Sequence, residues 1–217
     1  MSDAPAFDGV ILDVDGTLYR QAGVRRSMML RLVFGGLGRV RTLQAFRRAL
    51  EEIREGQLEG DDQPALQLAR AAAQAGVTEE EVTRTVDDWM HRRPLPFVAR
   101  HAMPGLQQFL AETRRRHIPV AAFSEYPCRN KLEALGISES IPIAASAYDK
   151  EIRRFKPDPT GFLVVARQID VAPEQTLVIG DRDDADGEGA RRAGMKFLQI
   201  GSPQFPSFVP LCKHLFD

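Results

Sequence analysis

The chain has 217 residues, of which 43% are hydrophobic and 27% are charged, and its formal net charge is −1. This composition is ordinary for a soluble globular protein, and the length allows a hydrophobic core that needs no disulfide staples. The near-zero net charge indicates no particular charged partner, and we expect no binding to nucleic acid.

Neither a disulfide framework nor a targeting segment is predicted. Cys128 and Cys212 lie far apart in the sequence and outside any CxxC or metal-type spacing, so we expect two free thiols in a reducing compartment. The N-terminal segment MSDAPAFDGV lacks the basic and long apolar regions of a signal peptide. The apolar cluster at 28–34 is interrupted by Arg31 and is too short to span a bilayer. These features predict a cytoplasmic protein.

The first predicted element is a strand over residues 10–14, with the sequence VILDV. A short apolar run that ends in an acid is typical of a buried parallel strand. The stretch that follows, residues 20–104, is rich in predicted helices and contains no convincing strand. Its breaks fall at 35–36, at 60–64 and at 76–78, where Thr78 and Glu81 resemble a capping box. The segment 92–96 closes its last helix.

Strands and helices alternate after residue 104. The predicted strands are 120–123, 141–145, 176–180 and 196–200, and the predicted helices are 105–116, 127–135, 159–169 and 184–193. Pro127 is expected in the first turn of its helix, and a short last helix is expected in the tail after Gly201. Alternation of this kind predicts βαβ units and a parallel sheet, with a helical domain inserted after the first strand.

Several predicted strands end at a polar side chain. Asp13, Ser124 and Asp181 occupy such positions, and Lys156 lies in the connection before the helix that precedes the fourth strand. In an open parallel sheet, ligands bind at the carboxyl ends of the strands, near the point where the strand order reverses. We therefore expect these four residues to converge in one crevice.

Asp13 and Asp15 belong to the motif DVDGTL, residues 13–18. Gly16 permits a backbone turn that a side chain would hinder. Two carboxylates this close repel each other, so a proton or a cation must settle their charge. The motif thus predicts one ionised nucleophile and one proton carrier, and the alternative explanation is a solvated turn with two acids.

A second acidic cluster, GDRDDADG at 180–187, also follows a predicted strand. Together with Asp13 and Asp15 it concentrates negative charge in the crevice. A hard divalent cation resolves such a concentration, and magnesium suits a few carboxylates with waters and a phosphate. The preference of helix N-termini for acids is the alternative explanation for Asp183 or Asp184, and it explains Asp181 poorly.

Lys156 and Ser124 complete the predicted site. Lys156 could hold a phosphoryl oxygen and balance the charge of Asp13. Its rivals in the neighbouring sequence are Lys150, Arg153 and Arg154. The Ser124 hydroxyl and the N–H groups of the following helix could cradle an anion, although a serine at this position can also be a simple helix cap.

These four elements, in this order, resemble the haloacid dehalogenase-like superfamily of phosphohydrolases. The resemblance covers the whole chain, because residues 20–104 look like the helical cap that many members insert after the first motif. It implies a Rossmann-like three-layer α/β core with a central parallel sheet, formed by residues 1–19 and 105–217, plus the cap. It also implies a magnesium-dependent phosphatase that hydrolyses a small phosphorylated metabolite through an aspartyl-phosphate.

The resemblance also implies a role for each matching residue. Asp13 would attack the phosphorus, and Asp15 would act as general acid and then general base, with a pKa raised by burial under the cap. Lys156, Ser124 and Thr17 would share the charge of the transferring phosphoryl group. Magnesium would be held by a set of four residues, namely Asp13, the backbone carbonyl of Asp15, Asp181 and, in support, Asp186.

Two positions depart from the family pattern. Ser124 is followed by Glu125, Tyr126 and Pro127, where many members have Asn or Asp and then Gly. An acid beside a phosphate site is unexpected, so Glu125 either faces away or contacts the substrate. Asp186 fits the commoner spacing of the last motif better than Asp184 does. Dehalogenation is not expected, because the dehalogenase branch lacks a counterpart of Asp15.

The segment 16–50 contains eight arginines and no acid, and the arginines are residues 20, 25, 26, 31, 39, 41, 47 and 48. This asymmetry has three possible explanations. The arginines could draw anionic phosphoesters to the crevice, rest on an anionic membrane or nucleic acid, or form a solvated helix face balanced by acids elsewhere. The sequence leaves the three open.

Alternative functions also stay open. A sugar phosphomutase would return the phosphoryl group to the sugar before water arrives. A phospho-acceptor regulator similar to a receiver domain would keep its aspartyl-phosphate, and a binding protein would have lost catalysis. The substrate is equally open among phosphoglycolate, sugar phosphates and nucleoside monophosphates, and the sequence does not predict the oligomeric state.

Overall fold

The computed structural model of the chain describes residues 7–35 and 37–217, and it describes side chains outside 30–37. The side chain of Arg31 and half of the predicted break at 35–36 therefore lie outside the described residues, as does the segment 1–6.

A five-stranded parallel sheet forms the centre of the protein. Its strands are β1 (Gly9–Leu12), β2 (Val120–Ser124), β3 (Ile143–Ser146), β4 (Thr176–Gly180) and β5 (Lys196–Gln199), in the order β3-β2-β1-β4-β5. All five predicted strands are present, and no strand end is shifted by more than two residues. The strand order reverses between β1 and β4, which places the predicted ligand crevice beside the end of β1.

Five of the helices between β1 and β2 lie within residues 20–104, and we call these five the inserted helices. They are α1 (Gln21–Gly35), α2 (Val40–Arg54), α3 (Gln63–Ala75), α4 (Glu79–Val86) and α5 (Leu95–Val98), and a π-helical turn over Asp87–Arg92 follows α4. The described part of this stretch contains no strand. Its helix starts follow from local chemistry, since Asp62 and Thr78 accept hydrogen bonds from Ala65 N and Glu81 N at 3.0 and 3.2 Å.

The remaining helices cover both faces of the sheet. They are α6 (Leu106–Arg115), α7 (Arg129–Ala134), α8 (Thr160–Gln168), α9 (Glu188–Arg192) and α10 (Phe208–Phe216). Alternate residues of β1 point to opposite faces. Val10 and Leu12 pack in one core cluster with side chains of α6 and α10, and Ile11 packs in another with Phe162 of α8. The predicted three-layer α/β architecture is therefore confirmed.

The inserted helices pack against each other and against the rest of the protein. Their main cluster includes Phe46 and Leu50 of α2, and it continues into Tyr126 and Phe155, which lie outside residues 20–104. Trp89, from the π-helical turn, belongs to the cluster that covers the sheet. The division into a core and a cap at residues 20–104 stays a prediction.

Three local predictions were wrong in detail. Pro127 precedes helix α7, whose N-cap is Cys128. The predicted helix 184–193 begins as a π-helical turn over Asp183–Gly187, and α9 starts only at Glu188. The short helix α5 occupies residues where a helix end was expected.

Both cysteines are free, as predicted, and the structure shows that both are buried. In the described part of the chain, every helix is too short or too polar to cross a bilayer.

Candidate active site

A cavity of about 440 Å³ lies between the carboxyl ends of the strands and the inserted helices. Its volume is in the range of pockets that hold small molecules. The sheet side of its wall is acidic, with Asp13, Asp15, Asp181 and Asp186. The helical side carries arginines and apolar side chains, among them Arg47. The wall is therefore charged differently on its two sides.

Lys156 connects the two acidic motifs. Its Nζ donates hydrogen bonds to Asp13 Oδ1 and Asp186 Oδ1, each at 2.7 Å, and to the carbonyl of Phe123 at 2.9 Å. The Lys156 side chain is 2% exposed, so the three acceptors replace the water that the ammonium group loses on burial. One lysine thus joins the ends of β1, β2 and β4.

The rivals of Lys156 lie elsewhere. Arg153 and Arg154 form ion pairs with Asp62 and Asp61, at 3.6 and 2.7 Å, and Lys150 is exposed.

Asp13 is held from two sides. The buried Thr17 hydroxyl donates to Asp13 Oδ2 at 2.9 Å, opposite the bond from Lys156 to Oδ1. Burial raises the pKa of the Asp13 carboxyl to about 8, because the neighbouring carboxylates of Asp186 and Asp181 add to the effect and Lys156 offsets only part of it. Thr17, predicted as a phosphate ligand, contacts the nucleophile candidate itself.

Three carboxylates could hold a metal ion. Oxygen atoms of Asp13, Asp181 and Asp186 lie within 4.8 Å of one another. Burial raises the pKa of Asp181 to about 6, with a further contribution from Asp186. The raised pKa values show that the positive charges near these carboxylates do not fully balance their negative charge. Carboxylate oxygens are hard donors, and magnesium prefers such ligands. The predicted magnesium ligands thus include three residues that the structure brings together.

Gly16 makes the close approach of the two motifs possible. Its φ is +101°, a backbone conformation that side chains disfavour, and a Cβ there would lie 2.0 Å from Asp181 Oδ2. The turn between Asp15 and Thr17 therefore has no room for any side chain.

Asp15 has a cationic partner of its own. Lys131 Nζ donates to both of its carboxylate oxygens, at 2.7 and 2.6 Å, and the Tyr19 hydroxyl donates to Oδ1. Burial raises the pKa of Asp15, but Lys131 and Tyr19 outweigh it, so the net pKa is lowered. The prediction of a raised pKa was therefore wrong, because nothing in the local sequence indicates that Lys131 lies beside this carboxyl group.

Ser124 and Glu125 line the same cavity. Ser124 ends β2 and is buried, next to the acidic motifs. Glu125 forms an ion pair with Arg54 of α2, whose other terminal nitrogen bonds Glu51 at 2.7 Å. The charge of Glu125 is thus balanced by an inserted helix, so its predicted contact with substrate stays a prediction.

The remaining acids of the last motif point away from the crevice. Asp184 pairs with Arg182, and Asp183 pairs with Arg191 at 2.9 Å, both at exposed positions. Asp186 is 2% exposed and accepts hydrogen bonds from Lys156 and from Arg182 N. Between Asp184 and Asp186, the buried one is Asp186, the residue chosen from the spacing.

The sequence missed several residues of the cavity wall. They are Lys131 and Tyr19 beside Asp15, His91 of the π-helical turn, and Arg54 of α2. Arg25 and Arg47 also line the cavity, and they belong to the arginine-rich segment for which a role at the crevice was one of three predicted explanations. A weak signal existed for Tyr19, which follows Asp15 by four residues. Nothing local marks Lys131, which reaches Asp15 across 116 residues of sequence.

The whole chain is similar to known hydrolases. The model of the haloacid dehalogenase-like hydrolase family matches residues 7–194. The chain is 28% identical over 211 residues to glyceraldehyde 3-phosphate phosphatase of Methanopyrus kandleri. The aligned region covers 93% of this chain and 87% of that protein.

Two solved structures show the same fold. The HAD-hydrolase YfnB of Bacillus subtilis, bound to magnesium, has a TM-score of 0.63 at 16% identity, covering 96% of this chain and 98% of that one. β-Phosphoglucomutase of Clostridium difficile has a TM-score of 0.59 at 18% identity, covering 90% and 85%.

Proposed function

Because the chain belongs to the haloacid dehalogenase-like hydrolases, the family its motifs predicted, we propose that it is a magnesium-dependent phosphatase of a small phosphomonoester. The observation that carries the proposal is the separation of two acids, two residues apart, into different environments. Asp13 and Asp186 both form ion pairs with Lys156, while Asp15 forms its ion pair with a different lysine, Lys131. Two carboxyl groups set apart in this way are suited to two different roles.

In this proposal Asp13 is the nucleophile. Thr17 and Lys156 fix both of its carboxylate oxygens, so the attacking oxygen is aimed before substrate arrives. Attack forms an oxygen–phosphorus bond and breaks the bond to the leaving alcohol, giving an aspartyl-phosphate. When bound by Asp13, Asp181 and Asp186, with the Asp15 carbonyl, magnesium would keep Asp13 ionised and draw charge from the phosphoryl oxygens.

Asp15 carries the proton in both half-reactions. It gives a proton to the leaving oxygen, and it then takes one from the water that cleaves the aspartyl-phosphate. Its lowered pKa suits the second task, since the free carboxylate is the base. For the first task it must gain a proton from solvent, because burial and the charge of Asp15 raise the pKa of the Tyr19 hydroxyl, which therefore keeps its proton. Lys156 and Ser124 would face the phosphoryl oxygens.

Supporting this assignment, the relative from Methanopyrus kandleri is a phosphatase by name and covers most of the chain. The inserted helices close one side of the cavity, so we propose that residues 20–104 act as a cap that limits the substrate to a small molecule and excludes water.

The test is hydrolysis of an aryl phosphate with and without magnesium. The native chain should release phosphate only with the metal, and Asp13→Asn should lose nearly all activity. Asp15→Asn should lose about 10²- to 10⁴-fold, the usual contribution of a general acid or base. Asp183→Asn, which changes an exposed acid of the same loop, is the matched control and should keep native activity.

Two results would contradict the proposal. Inactivity of the native chain across a panel of small phosphoesters, with a stable aspartyl-phosphate, would indicate a phospho-acceptor. Conversion of one sugar phosphate isomer into another, without release of phosphate, would indicate the phosphomutase alternative.

A further inference from the structure

Starting from the proposed phosphatase function, we propose that Arg25 and Arg47 bind a second acidic group of the substrate. The substrate class is then phosphomonoesters whose alcohol part carries a carboxylate or a second phosphate a few atoms from the ester. Neither arginine belongs to the motifs that match the family.

The two arginines face the cavity because of helical spacing. On α2, the residues that line the cavity include Leu43, Arg47, Leu50 and Arg54, at steps of four, three and four residues. Such steps place side chains on one face of a helix. Arg25 lies on α1, whose Met28 lines the cavity one turn further on.

The other four cations of the cavity wall have acidic partners. Lys131 pairs with Asp15, Lys156 with Asp13 and Asp186, Arg54 with Glu51 and Glu125, and Arg182 with Asp184. Arg25 and Arg47 make no hydrogen bond or ion pair with any residue that the structure describes, although both line the cavity.

The two unpaired charges lie close enough to affect each other. The pKa of Arg47 is lowered first by partial burial and then by the positive charge of Arg25. Two guanidinium groups that repel each other, and that have no acidic partner among the described side chains, favour an anion that bridges them. Arginine is suited to this because its planar donors match carboxylate and phosphate oxygens.

The position of the arginines fits the leaving group rather than the phosphoryl group. Arg25 acts electrostatically on the Tyr19 hydroxyl, which donates to Asp15, the proposed proton donor to the leaving oxygen. Arg25 therefore lies near the acid/base side of the site, and Arg47 lies near Arg25. Arg47 also lies seven residues along α2 from Arg54, which contacts Glu125, and seven residues of helix span about 10 Å.

Apolar neighbours strengthen the expected contact. Met28, Leu43 and Leu50 line the wall around the arginines, and all three are buried. Arg25 and Arg47 are themselves exposed, so their hydrogen bonds to an anion gain strength only when the bound ligand and these apolar groups exclude water. We therefore expect the second acidic group to raise affinity by about tenfold or more.

The experiment measures binding, so it does not depend on turnover. Isothermal titration of the Asp13→Asn chain with magnesium present compares three ligands on one three-carbon skeleton: glycerol 3-phosphate, 3-phosphoglycerate and glycerol 1,3-bisphosphate. The inference predicts tighter binding, by about tenfold or more, of at least one of the two diacidic ligands. Which of them binds more tightly distinguishes a carboxylate from a second phosphate.

Substitutions then locate the effect. Arg25→Met and Arg47→Met, each added to Asp13→Asn, should remove most of the preference and change glycerol 3-phosphate binding by less than about threefold. Arg47→Lys should keep part of the preference. Arg48→Met is the matched control, because Arg48 is the next residue of α2 and does not line the cavity, and it should keep the full preference.

Three outcomes would overturn the inference. Equal affinity for all three ligands would show that no second acidic group is bound. An equal loss for all three in the Arg25 and Arg47 variants would place these arginines on the phosphoryl group. An equal loss in Arg48→Met would reduce the effect to general surface charge. A diacidic preference in a chain without phosphatase activity would keep the subsite and reject the catalytic proposal alone.

Discussion

The charge of Asp15 depends on one lysine. Burial by itself would raise the pKa of this carboxyl group, and the two hydrogen bonds from Lys131 reverse the direction. The Lys131 side chain is itself buried, with only 6% of its surface exposed. Both charged groups therefore lose hydrating water, and their mutual ion pair replaces it. Lys131, a residue of helix α7, thus keeps the proposed acid/base Asp15 ionised.

Replacing Lys131 with methionine should raise the pKa of Asp15 above its ordinary value, because the largest effect that opposes burial is removed and only Tyr19 and His91 still lower this pKa. A carboxyl-carbon NMR titration of the metal-free protein measures this pKa, and the missing signal in Asp15→Asn assigns it. An Asp15 pKa that stays low in Lys131→Met would show that Tyr19 and His91 are sufficient.

His91 predicts a second effect at this scale. Burial and, after it, the nearby charge of Lys131 lower the pKa of His91 to about 4. Because the folded-state pKa lies below the unfolded value of about 6.5, neutral His91 contributes stability above pH 6.5. That contribution is lost as the pH falls from about 6.5 to 4, and it amounts to at most about 3 kcal/mol.

Urea denaturation at a series of pH values measures this effect. His91→Gln should flatten the dependence of unfolding free energy on pH between 4 and 6.5. His214→Gln, at an exposed position of α10, is the control and should leave the curve unchanged. A native curve that is already flat in this range would contradict the assignment.

At the scale of elements, helix α2 is fastened to the end of β2 by the ion pair between Arg54 and Glu125. Their side chains are only 10% and 18% exposed. A pair shielded in this way is worth more than a surface pair, because solvent screens it less. The acid that departs from the family pattern therefore contacts the inserted helices.

A double-mutant cycle with Arg54→Met and Glu125→Gln should give a coupling energy of about 1–3 kcal/mol in urea denaturation. The control is the pair Arg70 and Glu52, which also joins two helices and should couple more weakly, because 45% of the Arg70 side chain is exposed where only 10% of the Arg54 side chain is. Equal coupling in the two cycles would mean that shielding by the cavity wall has no effect.

At the scale of the whole molecule, magnesium should stabilise the fold, and more so at high pH. The raised pKa values of Asp13 and Asp181 lie above the ordinary value of 3.8. Protonated acids of this kind stabilise the metal-free protein at low pH, and the contribution is lost as the pH rises through about 6 and then about 8. A cation among the carboxylates removes that repulsion.

Thermal denaturation in magnesium or in EDTA, at pH 6 and pH 8, measures the difference. At ten times its Kd the metal should add about 1.4 kcal/mol, and its tighter binding should make the gain larger at pH 8. Asp181→Asn should reduce the gain and Asp183→Asn should not. A larger gain at pH 6 would contradict this account.

Much of the fold could be predicted from the sequence, because the buried parallel strands are continuous apolar runs. In this chain, polar side chains of the site follow or end several of these runs. Asp13, Ser124 and Asp181 were placed at strand ends in this way, and Lys156 in the loop after β3. Lys131 and Arg54 were not predicted as site residues. Lys131 is 116 residues from its partner Asp15 in the sequence, and Arg54 is 71 residues from its partner Glu125. A contact between residues so far apart in the sequence depends on how the helices pack, and local periodicity carries no information about that packing.

The aromatic rings of Tyr126, Tyr148 and Phe155 form a group of mutual contacts, with centroids 6.0 to 6.3 Å apart. They follow β2 and β3 in the chain, and yet they complete the cluster of the inserted helices. A chain trimmed of residues 20–104 would expose these rings to water and become prone to aggregation. The insertion is therefore not an interchangeable module, and grafting it onto another core would require the three rings to be transplanted with it.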